Sequence, residues 1–222
     1  MEIVTVSDAA ERLALSVRQV QRLAHAGDLV SIGPDRLDWG SVLRHEAAHK
    51  GHQRRAWAEA TAWAAIALLT HVEVTWLGEA QRSRLKGELK RSTPEELVAR
   101  TRNRATVHRL MGHRAVVDRL ADEVIGSGST SEVGELTGAT GEQVDGYVSV
   151  ARYDRLVTRY RLRNAVEEGN VTLRATAFDL AIAAQIAERG DVLAGLDLGA
   201  SLDPRERSAG MRSVKQALVR SR

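Results

Sequence analysis

The chain of 222 residues contains no cysteine. A disulfide framework, a thiolate nucleophile and a zinc site built on sulfur are therefore excluded. The longest apolar run, residues 62–69, is far too short to cross a bilayer. Residues 1–4 lack the basic and apolar segments that begin a secretory signal peptide. We therefore predict a cytoplasmic protein that is not inserted in a membrane.

Most catalytic signatures are missing as well. Neither of the glycine-rich phosphate motifs, G-x-x-x-x-G-K and G-x-G-x-x-G, occurs, and Ser127-Gly128-Ser129 is typical of a turn rather than of a nucleophile elbow. We predict that the protein is not an enzyme and that it needs no cofactor.

One short motif favours an alternative, a zinc-dependent hydrolase. His45-Glu46-Ala47-Ala48-His49 matches H-E-x-x-H, in which two histidines on one helical face ligate zinc and the glutamate polarises the bound water. A catalytic site needs a third ligand, and His52 does not stand at the spacing of the metzincin continuation. We therefore predict no metal site, and we keep the zinc-dependent hydrolase as an alternative of a different class.

Charge is unevenly distributed although the net charge is only +3. Residues 81–120 contain eleven basic and four acidic side chains, whereas residues 121–150 contain six acidic and no basic ones. Such segregation favours a basic surface that contacts phosphates or an acidic partner, and an arginine-rich solvated helix would give the same pattern.

The most specific pattern lies near the start of the chain, where two short helices and a hairpin are predicted. Residues 8–14 form the first helix, and Leu15-Ser16 the turn. Ser16 then caps a second helix over residues 17–26, with Gln19 completing a capping box. Gly27 ends this helix in a left-handed conformation. Residues 29–32 and 37–39 form a two-stranded ribbon around a tight turn.

The second helix has the side chains of a DNA-recognition helix. Val17, Val20, Leu23 and Ala24 recur at helical spacing and are predicted to face the first helix. Arg18, Gln19 and Arg22 then point outward, and arginine and glutamine are the side chains that bind guanine and adenine edges in the major groove. We predict a DNA-binding site made of Ser16, Arg18, Gln19, Arg22 and, on the hairpin, Arg36.

Residues 5–39, TVSDAAERLALSVRQVQRLAHAGDLVSIGPDRLDW, resemble the MerR/excisionase type of winged helix-turn-helix. The resemblance implies a head that binds double-stranded DNA. We assign residues 1–52 to this head and residues 53–222 to a larger C-terminal region, predicted to be helical with a few short strands, so that the fold class is mainly α (α+β).

Several helices and strands are predicted in the C-terminal region. The helices cover residues 56–70, 79–90, 114–123 and 152–160, one begins after the Thr93 cap at Pro94, and the last runs from Asp203-Pro204 towards residue 219. Strands are predicted at residues 106–111, 147–148 and 171–174, and residues 72–76 are either a short strand or an extended linker. Residues 137–143 resemble a second helix-turn-helix. Because that stretch has no basic side chain and phosphates would repel it, we do not assign it a DNA contact.

Scattered blocks of the C-terminal region, among them RAWAEATAWAAIALLT, WLGEAQRSRLKGEL and LDPRERSAG, give a second resemblance. They resemble actinobacterial regulators similar to type IV (AbiEi-like) antitoxins, which are paired with nucleotidyltransferase-like toxins. This implies a transcriptional regulator that binds its own promoter region, and it leaves open whether a nucleotidyltransferase-like toxin is bound. An excisionase-like DNA architectural factor and a pure protein-interaction module remain alternatives, and a homo-oligomer is left open.

Overall fold

The computed structural model describes residues 3–25, 27–49, 55–127, 143–165, 169–201 and 203–221. The chain is mainly helical and contains two sheets, which confirms the α+β class. Within these ranges no helix combines the length and the apolar character needed to cross a membrane.

The described part of the head consists of a three-stranded sheet and three helices. Its elements are β1 (Ile3–Thr5), α1 (Val6–Leu13), α2 (Val17–His25), β2 (Ser31–Gly33), β3 (Arg36–Asp38) and α3 (Trp39–His49). The predicted ribbon corresponds to β2 and β3, which pair antiparallel, and Gly27 has the positive φ predicted for the end of α2. The strand β1, which was not predicted, pairs with β3 on its other side.

Two helix starts in the head differ from the prediction because of capping. The helix α1 begins at Val6, since the Thr5 hydroxyl accepts from the Asp8 amide while the Asp8 carboxylate accepts from the Thr5 amide. The sequence also predicts a helix capped by Ser41 and running towards Lys50. At this helix, α3, the capping side chain is Asp38 instead of Ser41. The Ser41 amide donates to Asp38 Oδ2 at 2.7 Å, so that the helix begins at Trp39.

A small apolar core holds the head together without residues from elsewhere. It contains seven buried side chains: Val6, Ala9, Ala10, Val20, Leu29, Leu37 and Val42. The prediction that Val17 belongs to this face is wrong, because its side chain is 45% exposed. Val20 therefore provides the fully buried anchor of α2. The predicted domain boundary at residue 52 lies outside the described residues.

The C-terminal region contains a second sheet surrounded by helices. The helices are α4 (Glu59–Leu69), α5 (Glu79–Leu89), α6 (Pro94–Arg100), α7 (Arg114–Ala121), α8 (Val150–Arg159), α9 (Leu180–Glu188), α10 (Val192–Gly199) and α11 (Pro204–Arg220), with a 3-10 turn at Arg102–Arg104. The strands are β4 (Thr106–Met111), β5 (Ile125–Gly126), β6 (Val144–Ser149), β7 (Arg163–Asn164) and β8 (Val171–Thr176).

The five strands follow the order β5-β6-β8-β4-β7. Strands β6 and β8 are parallel and are connected through α8, while the other pairs are antiparallel. Because side chains alternate along a strand, Val171, Leu173 and Ala175 of β8 lie in one apolar core, and Arg174 points to the opposite face of the sheet. On that opposite face α4 and its neighbours form the larger core around Trp63.

Several predicted elements are confirmed with small shifts. Thr93, Pro94 and Glu96 form the predicted capping box and proline start of α6, and Asp203 caps α11. The helix α4 begins three residues later than predicted, because the Trp57 amide donates to the Arg100 carbonyl and fixes that segment outside the helix. Residues 72–76 contain no strand. Residues 137–142 of the second helix-turn-helix pattern lie outside the described residues.

A buried polar network connects the sheet to α10. The Asp197 carboxylate, whose side chain is fully buried, contacts the guanidinium groups of both Arg104 and Arg174. The Tyr147 hydroxyl donates to Asp197 Oδ1 at 2.9 Å and accepts from Arg104 Nε at 2.8 Å. Arg174 also forms two hydrogen bonds with Asp145, at 2.8 and 2.7 Å. Two arginines are thus balanced by two carboxylates.

The pKa values of the network follow from this balance. Burial alone would lower the pKa of Arg174, but the carboxylates of Asp145 and Asp197 raise it above its ordinary value. Burial raises the pKa of the Tyr147 hydroxyl, so this group stays protonated and serves as a donor. Close packing of α10 against α11 positions Asp197, since a Cβ at Gly210 would collide with the backbone of Gly199 and Gly195.

We predict that replacing Asp197 by asparagine strongly destabilises the fold. The variant Asp197→Asn leaves Arg104 without its carboxylate partner and Arg174 with Asp145 alone, and breaking a buried ion pair typically costs about 3–5 kcal/mol. Urea unfolding followed by circular dichroism measures the loss. The exposed acid Glu188 of α9 provides the control, because Glu188→Gln should change the free energy of unfolding by about 0.5 kcal/mol or less. Equal effects of the two substitutions would contradict this role of Asp197.

Candidate functional site

The outward face of α2 carries a stripe of polar side chains. Arg18 and Arg22 are both exposed, one helical turn apart, on the side of the helix opposite the buried Val20. Gln21 and His25 are exposed beside them. Sequence reasoning missed these two residues, although the spacing 18, 21, 22, 25 already places them on the same stripe.

Two residues of the predicted DNA-binding site serve the start of the helix. The Ser16 amide and hydroxyl both donate to Gln19 Oε1, at 2.9 and 2.8 Å, and the Gln19 amide donates back to Ser16 Oγ at 3.3 Å. The capping box predicted from the sequence is therefore confirmed. Because its carbonyl oxygen is engaged, Gln19 cannot make the bidentate contact with adenine while the cap is intact.

The last residue of the predicted site, Arg36, lies on the hairpin. It is exposed at the first position of β3, directly after Asp35, whose φ of 59° forms the tight turn. Arg36 pairs with Gly33 across the hairpin and with Thr5 of β1. The structure thus places Arg18 and Arg22 together on α2, and Arg36 on a separate element of the same head.

In its described part, the H-E-x-x-H segment has an environment that differs from that of a zinc site. The Glu46 carboxylate accepts hydrogen bonds from Arg12 Nε and Nη2, at 3.0 and 2.8 Å, and thereby ties α3 to α1. The side chain of His49 and the whole of His52 lie outside the described residues. Among the residues that are described, no group of three histidines, aspartates or glutamates could hold a metal.

A large cleft lies between the head and the C-terminal region. Its volume is about 880 Å³, within the range of small-molecule sites. From the head it is lined by the segment after α2 and by Arg44 and His45 of α3. From the C-terminal region it is lined by the 3-10 turn, the first residues of β4, and Arg174 and Asp197 of the buried network.

Positive charge predominates on the walls of this cleft. Five arginines line it, namely Arg44, Arg102, Arg104, Arg109 and Arg174, against three acidic residues, Asp28, Glu59 and Asp197. Most of these arginines have partners. Arg104 and Arg174 belong to the buried network, Arg44 pairs with Asp38 at 3.1 Å, and Arg102 Nη1 donates to the Ala99 carbonyl at 2.7 Å.

Arg109 differs from the other four. Within the described part of the chain its guanidinium forms no hydrogen bond or ion pair, and its side chain is open to the cleft. Loss of solvation among the surrounding protein atoms, together with repulsion from Arg44 and Arg174, lowers the pKa of Arg109 to about 10. The carboxylates of Asp145 and Glu206 act in the opposite direction. The group still carries its charge at neutral pH, so the cleft holds a cation with which no described carboxylate pairs.

The arginine-rich segment 81–120 does not form one continuous basic surface. Arg100 and Arg104 are buried, the first stacked over Trp57 at 4.0 Å from the ring centroid and paired with Glu88. Arg102 and Arg109 face the cleft. Sequence reasoning found the charge surplus but could not place it, because Asp197, the buried partner of Arg104, lies 93 residues further along the chain.

Comparisons with protein-family models, with curated proteins and with solved structures gave no match to this chain. The two family resemblances therefore stay predictions from the residues, and so does the partnership with a nucleotidyltransferase-like toxin.

We predict that Ser16 and Gln19 stabilise α2 as one unit. Ser16→Ala should reduce the local stability of the helix start by about 1 kcal/mol, the usual contribution of an N-cap. Gln19→Ala should cost a similar amount, and the double variant should cost clearly less than the sum because the two residues share their hydrogen bonds. Native-state amide hydrogen exchange at Val20 and Gln21 measures these losses. Strictly additive effects would contradict the shared cap.

Proposed function

We propose that this chain is a sequence-specific double-stranded DNA-binding protein that regulates transcription through a winged helix-turn-helix head. In this proposal α1, the turn at Leu15-Ser16 and α2 form the helix-turn-helix. The hairpin of β2 and β3 is the wing, and α2 enters the major groove.

The observation that carries the proposal is the exposed stripe on α2. Arg18 and Arg22 project from a helix whose opposite face is fixed in the core of the head by Val20. Within the described residues neither guanidinium has a protein partner, so both are free to form bidentate hydrogen bonds with guanine O6 and N7. Gln21 and His25 extend the same stripe towards neighbouring bases or phosphates.

The charge of the head explains why a recognition helix alone is insufficient. Residues 1–60 contain eight basic and eight acidic side chains, so the head has little net attraction for the DNA backbone. Additional affinity has to come from a second copy of the chain or from the C-terminal region. Arg36 is the head residue outside α2 that we assign to a backbone or minor-groove contact.

We predict that base recognition depends on Arg18 and Arg22. Arg18→Ala and Arg22→Ala should each lose about 1–3 kcal/mol of binding free energy for the cognate site if the contacts are bidentate. Gel-shift titration with the DNA upstream of the gene for this chain measures the loss, with Arg155→Ala as the control. Arg155 is an exposed arginine of α8, outside the head. Unchanged affinity of the Arg18→Ala/Arg22→Ala double variant would remove the head from DNA recognition.

We predict a different signature for Arg36. If it contacts phosphate, Arg36→Ala should weaken binding to cognate and unrelated duplexes alike, and the salt dependence of log K should become shallower by about one unit of slope. Titrations over a series of salt concentrations give the slope. A loss confined to the cognate duplex, with an unchanged slope, would instead assign Arg36 to base recognition.

A further inference from the structure

The cleft between the head and the C-terminal region has the composition of a site for an anion. Arg109 projects into it from β4. The strand β7 pairs only with Leu110 and Met111, so the earlier part of β4 has no neighbouring strand on that side. In the sheet Arg109 stands opposite Thr172 of β8, which in turn stands opposite Asp145 of β6. Asp145 is engaged in two hydrogen bonds with Arg174, so it is not available to pair with Arg109.

The acidic residues that line the cleft are already engaged too. Asp197 is shared by Arg104 and Arg174. The Glu59 carboxylate accepts hydrogen bonds from the Thr176 hydroxyl and from the Ala177 amide, at 2.8 Å for the latter. Asp28 lies close enough to Arg102 for its charge to favour the charged form of that guanidinium. Glu206, whose charge favours the charged form of Arg109, accepts a hydrogen bond from the Ser201 hydroxyl. Among the described residues no carboxylate pairs with the Arg109 guanidinium, which is exposed to the cleft and available to an anion.

Two further features bear on the kind of anion. Arg44 of the head lines the same cleft and lies near enough to Arg109 to repel it, so positive charge reaches the cleft from both the head and the C-terminal region. The rings of His108 and Tyr153, stacked with centroids 4.0 Å apart, also line the cleft, and alternation along β4 puts His108 on the other face of the strand from Arg109. A volume of about 880 Å³ holds a small molecule rather than a duplex.

We propose that this cleft binds a small phosphorylated molecule of up to nucleotide size, and that Arg109 is its principal phosphate contact. Arg44 contributes from the head, and the bound phosphate supplies the ion-pair partner that Arg109 lacks among the described residues. Arginine suits this role because its planar guanidinium donates two parallel hydrogen bonds to phosphate oxygens. The proposal does not depend on DNA binding.

Calorimetric titration of the full chain at low salt tests the site, with pyrophosphate and ADP as probes. The wild-type protein should bind at least one of them, and Arg109→Gln should weaken that binding about tenfold or more, as expected for loss of a charge-assisted hydrogen-bonded pair. Arg109→Lys keeps the charge without the planar fork and should give an intermediate affinity. Arg155→Gln, the matched control on α8, should bind like the wild type.

Thermal unfolding of the same proteins separates binding from folding. Without a probe, Arg109→Gln should melt at the wild-type temperature or above, because the substitution removes an unpaired cation. With pyrophosphate or ADP, the melting temperature should rise more for the wild type and Arg155→Gln than for Arg109→Gln. If Arg109→Gln fails to fold, Arg109→Lys and Arg44→Gln replace it. Both should bind the probes more weakly than Arg155→Gln, and their melting temperatures should rise less when a probe is added.

Three results would overturn the proposal. The first is that neither probe binds the wild type at millimolar concentration. The second is that Arg109→Gln and Arg155→Gln bind the probes equally well. The third is that Arg109→Gln weakens binding of duplex DNA but not of the small phosphates. None of them affects the test of Arg18 and Arg22, so failure of this site and failure of the proposed DNA-binding function remain distinguishable.

Discussion

The fully buried carboxylate of Asp197 is the contact on which the arrangement of the C-terminal region depends. It lies on α10, and its two arginine partners come from the 3-10 turn before β4 and from β8. A single charge therefore joins three segments, since Arg104 and Arg174 precede Asp197 by 93 and 23 residues. Such a group is costly to bury, and only complete pairing makes it tolerable. Here Tyr147 and Asp145 complete that pairing, while Trp63 packs edge-on against Tyr147 at 5.3 Å between ring centroids and encloses the network in the larger core. The network thereby fixes the face of the sheet that forms one wall of the cleft.

Arg174 and Arg109 show that the immediate surroundings of a guanidinium group determine its pKa. Both lie on adjacent strands of one sheet, on the same face by the alternation of side chains. Carboxylates surround the first and raise its pKa, whereas loss of solvation and two neighbouring arginines lower the pKa of the second. Asp145 and Glu206 favour the charge of Arg109, but no described carboxylate pairs with its guanidinium, so a chain selected only for stability would lose little by replacing it with a neutral residue. Functional sites are the places where such local costs are expected to persist.

The features that the sequence predicted correctly are those whose signal lies within a few neighbouring residues. The capping boxes at Ser16 and Thr93, the left-handed Gly27 and the strand at residues 106–111 follow from neighbours within a few residues, and the structure has all of them. The helix α10 was missed because all eight of its residues are buried, so no amphipathic period marks it. The cleft was missed for a related reason: its charged residues come from both the head and the C-terminal region, and no spacing rule connects Arg44 to Arg109. The stripe on α2 was found in part, because Gln19 was predicted both as a capping residue and as a base contact, and in the structure its side chain serves the cap.

The position of the cleft relates the two proposals to each other. Its head wall includes Leu23 and Ala24 of α2 and Gly27 just beyond, the same helix that carries Arg18 and Arg22 on its other side. A ligand that bridges Arg109 and Arg44 would favour the arrangement in which the head rests against the C-terminal region, and the bias can be no larger than the difference in its affinity between that arrangement and any other. If DNA favours a different placement of the head, ligand and DNA must weaken each other's binding by the same factor. If it favours this one, they must strengthen each other equally. Coupling of either sign is possible because α2 contributes both to the wall of the cleft and to the exposed stripe with Arg18 and Arg22.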